Sequence, residues 1–136
     1  MFLTLEPLLA APTLIRLHVI AAVLALVLGV AQLILPKGDK RHRLVGYIWC
    51  AAMFFVAAIS LDIHIIRQWA GFSLIHVLSI YVLCMLPLGL LAARAGRIER
   101  HKRIMSGIFF FGLIVAGAFT LLPGRIMHLV AFGGQN

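Results

Sequence analysis

The chain has 136 residues, 63% of them hydrophobic and only 12% charged, with a mean hydropathy of +1.10. A water-soluble domain is about half apolar and a quarter charged, so this chain has too few charges to cover a solvated surface. That excludes nucleic-acid binding as the meaning of the +8 net charge, and two cysteines lying in apolar runs exclude a disulfide-stapled secreted domain. The chain reads as an integral membrane protein.

In chain order, the first segment, MFLTLEPLLAAPTLIR, has no basic stretch, and its one early charge is Glu6, so it does not read as a cleavable signal. A span needs roughly 20 apolar residues. Four stretches qualify, at about residues 12–36, 43–66, 73–94 and 102–123. Ser73 suits an N-cap for the third, and Pro123-Gly124 marks a stop or kink for the fourth. Short connections make sequence neighbours antiparallel neighbours in space. The expected fold is all-α, a single up-down four-helix membrane bundle.

Orientation follows from the basic residues. Lys37, Lys40, Arg41 and Arg43 lie in the first loop, and Arg94, Arg97, Arg100, Lys102 and Arg103 in the third. Arg16, Arg67 and Arg125 lie on the opposite side. The positive-inside bias predicts cytoplasmic basic loops and external termini, in a bacterial inner membrane.

Six histidines are many for such a chain, and an ionisable group in a span is a functional signal by default. His18, His64, His76 and His128 fall near the outer helix ends, while His42 and His101 fall at the inner mouths of helices two and four. In an up-down bundle helix one faces three and helix two faces four. His18 therefore pairs with His76 in an outer layer, and His42 with His101 in an inner one. Two neutral imidazoles from opposing helices suit the two axial positions of a haem iron. Gly29, Gly46, Gly89 and Gly107, one per helix, share a depth of ~6–10 Å below the inner surface and leave room for a macrocycle. Arg16 and Arg125 outside, and Arg41, Arg43 and Arg103 inside, are available to haem propionates.

Plainer readings stand beside these. His42 and His101 also suit solvated histidines among basic neighbours, and the glycines also suit close helix packing. His64 and His128 have no assigned role; their diagonal is the competing outer pair. Asp62, the one acid within a span, suits a structural ion pair with Arg67, Arg16 or Arg125. Cys50 and Cys84 read as small apolar residues, Met105 and Trp49 as packing, and Trp69 as an interface anchor.

Four stretches carry a resemblance: KGDKRHRLVG at 37–46, GFSLIH at 71–76, HKRIM at 101–105 and AGAFTLLPGR at 116–125. In order, over nearly the whole chain, they resemble the small bacterial membrane proteins labelled domain of unknown function 2306. More distantly, the layout is similar to the cytochrome b561 superfamily, whose four-helix core holds two b-type haems through histidine pairs on opposing helices. That likeness is one of arrangement. It implies haem ligation by His18, His76, His42 and His101, and by no other residue here.

The expected function is a transmembrane electron carrier with two haems b, passing electrons between a membrane quinol or similar donor and an acceptor across the membrane. As an enzyme it would be a haem-dependent membrane oxidoreductase. Its partners would be the bilayer, a quinone, a redox partner protein and further copies of itself, with no nucleic acid. No nucleotide or flavin motif and no H-E-x-x-H motif is present. The alternatives are a small histidine-dependent transporter and a non-catalytic accessory membrane subunit.

Overall fold

A computed structural model describes residues 3–63 and 73–133, and they form an all-helical bundle. His64, Arg67 and Trp69 lie outside the described residues, so the expectations about them do too. A short helix, α1 (Glu6–Leu9), precedes α2 (Thr13–Ile34), α3 (Lys40–Asp62) and α4 (Leu74–Arg94). The fourth span, Ile98–Thr120, is composite: α5 (Ile98–Phe109), a wide π-turn segment over Phe110–Val115, then α6 (Ala116–Thr120). A last helix, α7 (Ile126–Phe132), follows the break. The four spans are long and apolar enough to cross a membrane, and consecutive spans pack on one another.

Helix ends explain where the boundaries fall. The second span starts at Lys40, earlier than its apolar stretch, because Asp39 caps it: Asp39 Oδ1 accepts the His42 N–H at 2.8 Å. Its helix runs to Asp62, and residues 64–66 of the expected stretch lie outside the described residues. Ser73 is the N-cap of α4 as expected, and the partner in its capping box is His76. The fourth span begins at Ile98, four residues earlier than predicted. The turn before it is a Schellman motif: the Arg97 N–H reaches Ala92 O at 2.9 Å and the Gly96 N–H reaches Ala93 O at 3.1 Å. Gly96 sits at φ +73°, where a residue without Cβ is favoured. So tight a reversal lets α5 start at once.

The core is a column of Ala25, Met53, Leu86 and Ile108 with the Trp49 ring set against α2. Trp49 is a packing residue, as expected, and its Nε1–H donates to Ala25 O at 3.0 Å. Gly29 permits this approach, since a Cβ there would lie 2.6 Å from the Phe109 ring and 2.9 Å from Trp49 Nε1. Most large side chains of α2, such as Ile20, Val27 and Ile34, face outward, as lipid-facing side chains do. The N-terminal segment is more ordered than a tail: α1 packs on α7, and the Thr4 N–H donates to Val130 O at 3.1 Å.

Candidate functional site

Among the described residues a cavity opens at each end of the bundle. The larger, about 680 Å³, lies at the end carrying the two basic loops. His42 and His101 both line it, with ring centroids 6.5 Å apart and planes at 82°. The sequence placed these two at helix mouths; the earlier helix starts put each within or just past a first helical turn, which fixes its backbone.

The two rings differ in their hydrogen bonding. His101 Nδ1 lies 2.9 Å from Gly89 O, a group that can only accept, so Nδ1 carries the hydrogen and Nε2 keeps a lone pair. A backbone carbonyl holding the second ring nitrogen in this way is the usual support of a metal-ligating histidine. His42 is held through its backbone. Its N–H goes to Asp39, and its carbonyl accepts from Gln32 Nε2 at 2.9 Å. His42 Nδ1 and Gln32 Oε1 are both buried and have no partner among the described residues. Buried polar atoms normally have partners, so this wall has a ring nitrogen and an amide oxygen with capacity left for contacts to an occupant.

Four cations, Lys37, Arg43, Arg94 and Lys102, line this cavity, and none of its lining residues is acidic. Among the described residues only Lys102 of these four has a carboxylate partner, Glu99 at 3.4 Å. Arg94 reaches across to the Tyr47 hydroxyl at 3.4 Å, joining α4 to α3. The depth of the cavity is apolar, with Trp49, Leu90 and Phe109. Sequence reasoning selected Arg43 but missed Gln32, Tyr47 and Arg94. Gln32 carried a signal: it is the one amide inside the apolar stretch of the first span.

The glycine layer divides. Gly29 and Gly46 line the cavity. Gly89 serves through its carbonyl, and a Cβ there would meet Met105 Cε at 2.6 Å and Ile104 Cγ2 at 3.0 Å. Gly107 lines neither cavity; it lies against the Tyr81 hydroxyl, 2.7 Å from where its Cβ would be. Cys50 is buried beside the cavity and Cys84 is exposed, in keeping with two unpaired small residues.

At the far end His18 and His76 have different surroundings. His18 lines a smaller, largely apolar cavity of about 290 Å³, with its Nδ1 3.4 Å from Ser60 Oγ. His76 is fully buried but does not line that cavity. Its Nδ1 accepts the Ser73 N–H at 3.1 Å, which leaves the ring hydrogen of the neutral form on Nε2, the nitrogen a haem iron would need. His128 lies on α7 past the break, its Nδ1 2.7 Å from Leu121 O, and it lines neither cavity. Arg16 donates to Thr13 Oγ1 at 3.1 Å. Arg16, Arg103 and Arg125 line neither cavity. No group of three or more His, Cys, Asp or Glu side chains able to hold a metal occurs among the described residues.

Length, composition and helix count together define a small polytopic α-helical membrane protein with a basic, histidine-bearing cavity at one end. A family model described as predicted membrane protein (DUF2306) matches residues 15–134, and the chain belongs to that family. No curated protein and no solved structure matches it.

Proposed function

We propose that the protein is a membrane electron carrier in which His42 and His101 would hold a haem b at the basic end. The observation that carries this reading is the spacing of the two rings. A metal–imidazole bond is about 2.0–2.1 Å, and with ~1.1 Å from that nitrogen to each ring centre, two imidazoles on one iron have centroids about 6.3 Å apart. The observed 6.5 Å agrees, and perpendicular planes are compatible with a shared axis. The His101 tautomer is the ligating one, and His42 has an orphaned ring nitrogen in the same wall. Four cations suit two propionates, and the apolar depth suits a macrocycle.

A bound haem supplies one-electron transfer. The chain's own part is to hold the two imidazoles at one depth, neutralise the propionates with Arg43, Arg94, Lys37 and Lys102, and keep water from the core. The reading carries one haem per chain. The second haem expected from His18 and His76 has no comparable support: His18 lines the far-end cavity while His76 does not, and His76 Nδ1 accepts the Ser73 N–H. A transporter reading is weaker still: Ala25, Leu86 and Ile108 are apolar and buried in the core, and no residue lines both cavities. The positive-inside bias of the basic loops supports a cytoplasmic side for this end.

The test is spectroscopic. Protein expressed with ample haem supply and purified in mild detergent should show a reduced-minus-oxidised b-type spectrum and one haem per chain. His42→Ala and His101→Ala should each abolish the bis-imidazole spectrum. A colourless wild-type protein overturns the reading.

A further inference from the structure

The far-end cavity has a chemistry of its own. Among the described residues, His18 is the one ionisable side chain lining it, and the other polar side chains there are Ser60, Ser79 and Thr120. All three hydroxyls have spent their hydrogens on backbone carbonyls: Ser60 on Val56 O at 2.8 Å, Ser79 on Ile75 O at 2.8 Å, and Thr120 on Gly117 O at 2.6 Å. A hydroxyl has one hydrogen to give, so Ser60 Oγ can meet His18 Nδ1 only as an acceptor. His18 therefore carries its ring hydrogen on Nδ1 and keeps a lone pair on Nε2. Among the described residues the side chains of the wall offer acceptors and no spare donor. An occupant that matches them brings its own O–H and is apolar elsewhere; these residues offer a carboxylate, phosphate or cation no fixed counter-charge.

A second observation marks the same wall. The fourth span is wound in wide π turns over Phe110–Val115, and Gly112, Leu113 and Ala116 from this stretch and its end line the cavity. Such bulges sit frequently at functional sites. Beside them, a Cβ on Gly117 would meet nothing within 4 Å, so the space there is open. Val23 and Leu121 line the cavity and are also exposed on the lipid-facing surface, which leaves a way out for an apolar tail.

We propose that this cavity binds the hydroxyl-bearing ring of a lipid-borne quinol, with His18 Nε2 accepting the hydrogen of a ring hydroxyl. A quinol head is a flat, otherwise apolar ring with its own O–H donors, and it reaches the cavity through the bilayer. The inference rests on the electron-carrier reading for its purpose and is independent of it for binding.

The experiment titrates wild-type protein in lipid nanodiscs, under anaerobic conditions, with a decyl-tailed benzoquinol, and reads binding calorimetrically. Saturable binding at one per chain is expected. The dimethyl ether of the same quinol, which has lost its donors, should bind about tenfold more weakly or worse, the scale of one lost hydrogen bond at a buried acceptor. His18→Phe should weaken the quinol by a similar factor. Gly117→Leu, which fills the open space without touching the polar pair, should weaken it as well and guards against a folding defect in the first variant. His101→Ala should leave quinol affinity within about twofold of wild type while removing haem. No saturable binding overturns the proposal, as does an ether that binds like the quinol, or wild-type affinity in both His18→Phe and Gly117→Leu. Quinol binding by a protein that takes up no haem sinks the electron-carrier reading and leaves this one standing.

Discussion

His101 Nδ1 lies 2.9 Å from the carbonyl oxygen of Gly89, on the preceding span, and this contact ties the first turn of α5 to the last turns of α4. The tight reversal at Gly96 makes it reachable. One hydrogen bond thereby sets both the position and the tautomer of a ring that faces His42 across the cavity. His42 has a different anchor, its backbone being held by Asp39 and by Gln32 from α2.

The two rings should behave as a unit. His42→Ala and His101→Ala should each remove the bis-imidazole spectrum, and the double variant should be little worse than either single one, because both report on one iron. Haem content and low-temperature spectra of the three variants check this. A double variant that loses a second haem would show two independent sites.

His76 should matter for stability and not for haem. Its ring closes the capping box of α4 and is fully buried. His76→Ala should therefore lower stability by about 1–2 kcal/mol through the lost cap, while haem per protein stays unchanged. Thermal unfolding in detergent alongside haem stoichiometry separates this from the expectation that His76 is an axial ligand.

The inner glycines should differ in cost. Gly29→Ala pushes a methyl against two rigid rings, Phe109 and Trp49, and should destabilise by roughly 1–3 kcal/mol. Gly46→Ala meets only the Gln32 amide at 2.9 Å, the end of a flexible side chain, and should cost under about 1 kcal/mol. Equal losses in unfolding midpoint for the two would show that Gln32 is as rigid as the rings.

Topology is open to a direct check. Reporter fusions in the first loop at Gly38 and at the C-terminus should report opposite sides of the membrane, the loop being cytoplasmic. A cytoplasmic C-terminal reporter would reverse which end of the bundle faces the cell interior.

Depth along each helix was legible in the sequence; rotation about it was not. Four spans, the basic end, the Ser73 cap and the break before His128 all follow from hydropathy, charge and local capping, which are properties of the chain read in one dimension. His42 and His101 were correctly placed at one height for the same reason. His18 and His76 were also placed at one height, yet one ring turns to Ser60 and the other folds back on Ser73. Which way a side chain faces depends on how neighbouring helices pack, and that is settled by contacts such as Phe109 and Trp49 against Gly29. The π turns at Phe110–Val115 add a rotation that no periodicity in FFGLIV announces. Gln32 and Arg94 were visible as residues, but only the bundle brings them to the cavity that His42 and His101 line. Height in the membrane belongs to the sequence because the bilayer reads hydropathy; the pairing of side chains belongs to the tertiary structure because only packing fixes azimuth.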